Sequence, residues 1–187
     1  MHADSLAALA AAIARDLDIL GLPPRHWPAE VRAPDGAAAL DVLVVGAGMC
    51  GIAAAAALML KGVRNFAVLD AAAPGREGPW MTTARMATLR SPKHLPGIAL
   101  GIPSLTFRAW FTARAGAAAW EALYKIGNAD WQDYLSWLQH VLALPVRHGV
   151  TVQAVVPAGT LFQVATGEGV LHARHVVLAT GREGAGG

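Results

Sequence analysis

A glycine-rich segment that follows an apolar run constrains the fold of this 187-residue chain more than any other feature. It reads DVLVVGAGMCG and spaces Gly46, Gly48 and Gly51 as G-x-G-x-x-G. In this motif the first glycine permits a tight turn out of a strand, the second lets the backbone approach a diphosphate, and the third lets the next helix pack against the sheet. The N-terminus of that helix then directs free N–H groups and a positive dipole end at the phosphates.

The residues around this motif predict a βαβ unit. Apolar residues 42–45 and 66–70 are typical of buried strands, and residues 50–60 between them favour a helix. Asp70 ends the second strand, 19 residues after Gly51, at the position where a carboxylate accepts hydrogen bonds from ribose hydroxyls. The combination predicts dinucleotide binding.

The remainder of the chain departs from a simple alternation of strands and helices. Residues 71–104 contain five prolines and predict loops, and helices are expected over 105–115, over 117–124 and after an N-cap at Asn128. From Gly149 onward the apolar period changes to two, which predicts a strand, a β-meander and a closing strand that ends near Thr180. The predicted fold class is α/β, a Rossmann-like domain whose parallel sheet carries an inserted β-meander and a helical insertion.

Residues 1–40 are predicted to form an N-terminal arm, and residues 41–187 the main domain. An apolar residue recurs at helical spacing, which favours an amphipathic helix capped by Asp4 or Ser5; the apolar positions are Leu6, Leu9, Ile13, Leu17 and Leu20. A Gly- and Pro-rich connector follows. We expect the arm to pack on the main domain or to swap onto another copy.

Composition excludes several functional classes. Hydrophobic residues make up 55% and charged residues 15%, as in packed globular proteins. The net charge is only +2 and the basic residues are dispersed, so no nucleic-acid partner is expected. No apolar run is long enough for a bilayer, and the single cysteine, Cys50, excludes an intrachain disulfide. We therefore expect a cytoplasmic protein without a membrane partner, a metal site or a metal-binding pair at His172 and His175, which fall on opposite faces of a strand.

Two segments give the motif a family context. The G-x-G-x-x-G unit, Asp70, the meander and the terminal Ala179-Thr180-Gly181 together resemble the FAD-binding domain of two-dinucleotide-binding flavoproteins. Residues 75–80, GREGPW, resemble the Gly-Gly-x-Trp turn of class B flavin monooxygenases, which include flavin-containing, Baeyer-Villiger and lysine or ornithine N-hydroxylating enzymes. Glu77 and Pro79 depart from that turn. Residues 86–93, MATLRSPK, resemble the stretch that passes near the isoalloxazine in those enzymes.

The resemblance implies FAD as the cofactor and assigns its contacts. The pyrophosphate would lie on the glycine loop, the adenosine ribose on the acid that ends the second strand, the adenine on a strand backbone and the ribityl chain on the GREGPW turn, with the terminal segment closing over the phosphates. In that order the residues are Gly46, Ala47, Gly48, Met49, Cys50 and Gly51; Asp70; Val152; Arg76 and Trp80; and Ala179, Thr180 and Gly181. No catalytic acid or base is identified by the sequence.

The resemblance also implies NADPH and a small-molecule substrate for the full-length enzyme. In such enzymes a second G-x-G-x-x-[GA] unit follows the Ala-Thr-Gly strand, and residues 182–187 contain none. We therefore expect a missing C-terminal domain or a homo-oligomer, and no turnover by the isolated chain. Two alternatives stay open: a non-catalytic, truncated flavoprotein-like module that binds a nucleotide or a partner, and a flavin oxidase or dehydrogenase that does not use NADPH.

Two further residue groups are expected to serve packing. Cys50 is predicted to be a small buried residue rather than a nucleophile. Core and interdomain packing is predicted for Trp110, Trp120, Trp131 and Trp137.

Overall fold

A six-stranded sheet organises the computed structural model, which describes residues 2–181. Its helices are α1 (His2–Ile19), α2 (Met49–Leu60), α3 (Phe107–Ala115), α4 (Ala117–Ala122) and α5 (Asn128–Val141), with a 3-10 turn at Pro103–Leu105. The strands are β1 (Leu40–Val45), β2 (Phe66–Asp70), β3 (Val146–His148), β4 (Val152–Ala158), β5 (Leu161–Thr166) and β6 (Gly169–Leu178). Their order across the sheet is β3-β2-β1-β6-β5-β4. The predicted α/β fold with an inserted meander is confirmed.

Strand β6 joins the two halves of the sheet. Its first half pairs antiparallel with β5, and its second half runs parallel to β1, with Val42 opposite His175 and Val45 opposite Leu178. The sequence predicted a meander strand and a separate closing strand in this region. The structure has one continuous strand, because the apolar alternation passes through Ala173 without a turn residue to interrupt it.

The sheet buries different residues on its two faces. Val42 and Val44 pack with α2 and the helical insertion, whereas Leu43 and Val45 pack with the meander residue Val164. Alternate residues of a strand point to opposite faces, so β1 is apolar on both sides. This central position is why the strand before the glycine turn reads as an uninterrupted apolar run.

Aromatic residues form the core of the helical insertion. Phe107 lies with its ring 5.4 Å from that of Tyr134, and Trp110, Trp120 and Trp131 are all at most 4% exposed. Core packing is therefore confirmed for these three tryptophans. Trp137 is partly buried against the same cluster.

The N-terminal arm packs on this chain's own helical insertion. Ile13 is 2% exposed in the main core cluster, and Ser104 Oγ donates a hydrogen bond to Asp16 Oδ2 at 2.6 Å. The helix already begins at His2, so the predicted cap at Asp4 or Ser5 was wrong: both residues lie within the helix. The connector is held by Trp27, whose Nε1 donates to the carbonyl of Lys61 at 2.9 Å. The proposed boundary at residue 40 remains a prediction.

Several element ends differ from the predicted ones for local reasons. Helix α3 begins at Phe107 because Thr106 is its N-cap and accepts from the backbone N–H of Ala109. Asn128 is the first helical residue of α5 rather than its cap; its Nδ2 donates to the carbonyl of Met86 at 2.5 Å and so holds the preceding loop. The short strand β3 was not predicted, since three residues give too little periodicity.

Among residues 2–181, no helix combines the length and the apolar character needed to cross a membrane.

Because of Tyr134, we expect the stability of this core to depend on pH in the alkaline range. Its hydroxyl donates to the carbonyl of Leu105 at 2.6 Å, and burial raises the pKa of Tyr134 well above its usual range. The unfolded chain ionises this tyrosine above about pH 10 while the folded chain keeps it protonated, so the free energy of unfolding falls as pH rises further.

We expect Tyr134→Phe to remove this part of the pH dependence and to cost about 1 kcal/mol at neutral pH, where only the hydrogen bond is lost. Urea denaturation of both proteins between about pH 8 and pH 11 measures the difference. Parallel stability curves over that range would contradict the assignment.

Candidate dinucleotide site

The glycine turn after β1 is fixed by three strand ends. Gly46 has φ +102° and donates its N–H to the carbonyl of Leu69 at 2.7 Å, while the N–H of Ala179 donates to the carbonyl of Val45 at 2.8 Å. A Cβ added at Gly46 would lie 2.5 Å from the carbonyl oxygen of Ala179. The ends of β1, β2 and β6 therefore meet at this turn, and Ala179 lies against Gly46.

Gly51 allows helix α2 to begin directly on the turn. A Cβ at this position would lie 1.8 Å from the carbonyl oxygen of Gly46, a separation that no side chain tolerates. The helix is consequently held close to β1, and Ile52 beside it is fully buried.

The first turn of α2 is open to solvent. Its N-cap, Gly48, is extended and supplies no side-chain hydrogen bond, so among the described residues no side chain caps the N–H groups of the first turn. Met49 is 39% exposed and Cys50 is exposed as well. The prediction that Cys50 is buried was wrong, because its position faces away from the sheet while Gly51 and Ile52 face it.

Asp70 ties the glycine loop to the end of β2. One carboxylate oxygen accepts from the N–H of Ala47 at 2.6 Å and the other accepts from the N–H of Ala72 at 2.7 Å. A carboxylate has about four acceptor positions, and these two hydrogen bonds use two of them. Asp70 is half-buried and lies beside the loop, as the sequence predicted.

The turn of residues 75–80 lies over the glycine loop. Gly78, with φ +72°, has its Cα 3.6 Å from the place where a Cβ of Gly48 would stand. Trp80 packs edge-on against Trp131 with ring centroids 6.2 Å apart. The indole N–H of Trp80 is buried and has no hydrogen-bond partner among the described residues, whereas Arg76 is exposed.

The other predicted contact residues lie at the same edge of the sheet, at different distances from the glycine loop. Val152 begins β4 and is half-buried; it follows Val150, whose N–H donates to the carbonyl of Asp70 at 2.9 Å. Thr180 and Gly181 continue from Ala179 and are exposed. The structure therefore brings the glycine loop, Asp70 and Ala179 into direct contact, and places Val152 two residues from that contact.

Sequence reasoning missed the buried residue Glu77. It is 1% exposed and contacts Gln132 of α5 and His148 of β3. The sequence sign of Glu77 was its departure from the Gly-Gly-x-Trp pattern. That departure shows that position 77 is unusual but does not identify the hydrogen-bond partners of Glu77.

A family profile described as pyridine nucleotide-disulphide oxidoreductase matches residues 43–184. This match covers most of the chain, and the chain belongs to that family. The class defined by the fold and the site is thus the flavoprotein-like oxidoreductases, which confirms the resemblance stated from the sequence.

Among individual proteins, the chain is similar to an FAD-dependent urate hydroxylase of Xanthomonas campestris pv. campestris. The two are 44% identical over 185 residues, which cover 97% of this chain and 39% of that protein. The chain therefore spans about two fifths of the length of this relative.

Solved structures share the fold. A flavin-containing monooxygenase from Stenotrophomonas maltophilia matches with a TM-score of 0.60 at 26% identity, covering 76% of this chain and 38% of that one. An ornithine N-hydroxylase from Kutzneria sp. 744 matches with a TM-score of 0.66 at 20% identity, covering 76% of this chain and 37% of that one. The second likeness concerns the fold alone.

The glycine geometry predicts opposite outcomes for two similar substitutions. Gly51→Ala should destabilise the chain by about 3 kcal/mol or more, because its methyl group would collide with the carbonyl of Gly46. Gly48→Ala should cost only about 1 kcal/mol, because the methyl group meets Gly78 at an ordinary contact distance and the loss is limited to that of a poorer N-cap. Chemical denaturation measures both, and equal losses of stability would refute this account of the turn.

Proposed function

We propose that this chain binds FAD and forms the FAD-binding part of a flavin monooxygenase-like oxidoreductase. One observation carries the proposal: the loop from Gly46 to Gly51 is held in place by backbone contacts and by Asp70, and leads into a helix whose first turn is capped by no side chain within residues 2–181. This arrangement provides N–H donors and a positive dipole end for a diphosphate. A carboxylate with spare acceptor positions lies beside it for a ribose.

The residues present fit a long, partly polar ligand. An added Cβ on Gly48 would stand 3.6 Å from the Cα of Gly78, so the turn meets the loop at this point through glycine backbone, and no described side chain lies within 4 Å of that position. The indole N–H of Trp80 is buried with no acceptor among residues 2–181, and a buried donor costs free energy when it has no hydrogen-bond partner. A bound phosphate or ribityl oxygen would supply that acceptor.

Each predicted contact takes a defined role in this proposal. The N–H groups of residues 46–51 hold the diphosphate, and Asp70 accepts from the adenosine ribose. Trp80 and Arg76 line the ribityl side, the backbone of Val152 meets the adenine, and residues 179–181 close over the phosphates. When bound, FAD supplies the chemistry that the protein's side chains lack, namely hydride acceptance and reaction with oxygen.

For the whole protein we propose an NAD(P)H-dependent monooxygenase-like activity on a small molecule. The 44% identity to a protein named as a urate hydroxylase makes urate the first substrate to test. Because the chain spans 39% of that relative, the NADPH-binding residues are expected outside residues 1–187, in a further domain or in a partner copy. A cytoplasmic location is proposed because the exposed thiol of Cys50 stays reduced there.

FAD binding by this chain can be tested directly with a matched pair of variants. We expect the purified chain to quench flavin fluorescence on titration with FAD, and Asp70→Ala to weaken binding at least about tenfold, because the loop loses its anchor and the ribose its acceptor. Asp35→Ala is the control. It also removes an aspartate that accepts from a backbone N–H two residues later, here Ala37, but lies in the exposed connector. Its affinity should equal that of the wild type.

Two results would contradict the proposal. The first is a folded wild-type chain that takes up no FAD. The second is equal FAD affinity in Asp70→Ala and Asp35→Ala, which would place the ligand elsewhere.

The activity of the whole protein is tested with a natural protein that contains this sequence and is as long as the similar urate hydroxylase. We expect the FAD-loaded protein to oxidise NADPH faster when urate is present and to convert urate in proportion. NADPH oxidation that urate leaves unchanged would exclude urate as the substrate, while NADH and NADPH that are both inert would favour an oxidase or dehydrogenase without a nicotinamide cofactor.

A further inference from the structure

The turn of residues 75–80 contains a buried carboxylate that a phosphate-binding loop does not require. Glu77 is 1% exposed, and proteins bury a glutamate only when it is paired or hydrogen-bonded. It stands where the similar monooxygenase turn has a glycine. A glutamate does not provide the backbone freedom of a glycine, so the role of residue 77 lies in the contacts of its side chain.

Two elements of the fold converge on Glu77. Gln132 of α5 donates from Nε2 to Oε2 of Glu77 at 2.8 Å, and Nε2 of His148 lies 2.5 Å from Oε1. His148 is the last residue of β3, and its side chain is 19% exposed. One carboxylate thus joins the turn to a helix on one side and to the sheet on the other.

The same turn has a second contact with α5 and a direct contact with the glycine loop. Trp80 packs edge-on against Trp131, the neighbour of Gln132. Gly78, which follows Glu77, is the residue that faces Gly48. A displacement of Glu77 would therefore move both Gly78 and the unpartnered indole N–H of Trp80.

The sheet edge supports the turn and the loop through adjacent residues. His148 lies opposite Asp70 in the parallel pairing of β3 with β2. Asp70 holds the glycine loop through Ala47, and His148 holds the turn through Glu77. The two halves of the dinucleotide site are fixed to neighbouring strand ends by two different carboxylates.

We infer that Glu77 is a positioning residue that clamps the turn of residues 75–80 over the glycine loop and so preforms the FAD site. The identity of the ligand rests on the proposed function, but the clamp is a property of the free chain. Its ties are hydrogen bonds, so a neutral side chain of the same length is sufficient. A glutamine at position 77 offers a carbonyl oxygen to Gln132 and an N–H group to the ring nitrogen of His148.

The test compares Glu77→Ala with the conservative Glu77→Gln, and uses Tyr134→Phe as a control. Tyr134→Phe removes a different buried hydrogen bond of the same helix, to Leu105, and leaves the turn untouched. Hydrogen exchange by mass spectrometry is measured on the free chains, in the segment that includes the amides of Thr82 and Ala84, which both donate to the carbonyl of Pro79. FAD affinity is measured on the same preparations.

We expect Glu77→Ala to accelerate exchange in this segment at least about tenfold and to weaken FAD binding by a similar factor. Glu77→Gln and Tyr134→Phe should stay within about threefold of the wild type in both measurements. Gln132→Leu cuts only one of the two ties and replaces Glu77→Ala if that variant fails to fold; it should accelerate exchange at least about threefold in the same segment.

The outcomes separate this inference from the proposed function. Unchanged exchange in Glu77→Ala overturns the clamp, and so does unchanged FAD affinity in that variant when the wild type binds FAD. Loss of both properties in Glu77→Gln also overturns it, because the charge rather than the hydrogen bonds would then be needed. Faster exchange in Glu77→Ala than in the wild type, together with no FAD binding by the wild type, supports the clamp and refutes the proposed function.

Discussion

The approach of helix α2 to the end of β1 is the contact on which the rest of the structure depends. At Gly51 and Gly46 the helix and the turn are so close that any side chain on Gly51 would overlap the turn. Two consequences follow from this single contact. The helix begins on the turn with Gly48 as an N-cap that has no side-chain hydrogen bond to offer, and the turn is near enough to Ala179 for β6 to pack against it. Sheet order, helix placement and the candidate site are therefore parts of one arrangement.

The carboxylate of Asp70 fixes the local structure at this edge of the sheet in the free protein. Asp70 uses one oxygen to hold the loop and the other to hold the chain that leaves β2. An acid placed only for a ribose would have to be desolvated without compensation in the free protein, whereas Asp70 is already hydrogen-bonded there. The loop consequently has its shape before any ligand arrives, which reduces the ordering cost of binding.

The sequence predicted the parts of the fold that local patterns determine. The βαβ unit was recognisable because its glycines and Asp70 act through backbone geometry, which a spacing rule captures. Helix ends were less predictable. Asn128 has the residue type of a cap, yet its side chain serves the loop at Met86, a contact between residues 42 positions apart. The burial of Glu77 also depends on long-range contacts, because its hydrogen-bond partners lie on α5 and β3. No local sequence pattern identifies such partners. The prediction for Cys50 was wrong because cysteine as a residue type is usually buried, whereas this cysteine lies on the exposed side of the N-terminus of α2.

Strand β6 has a consequence for the order in which the molecule forms. It supplies the central partner of β1, although 133 positions separate the paired residues Val42 and His175. Contacts of such long sequence separation form slowly, because a large loop must close before they stabilise the chain. During synthesis, β1 stays without this neighbour until residues 169–178 have left the ribosome. The glycine turn, which contacts Ala179, is thus completed only after residues 169–179 have emerged, long after its own residues 46–51.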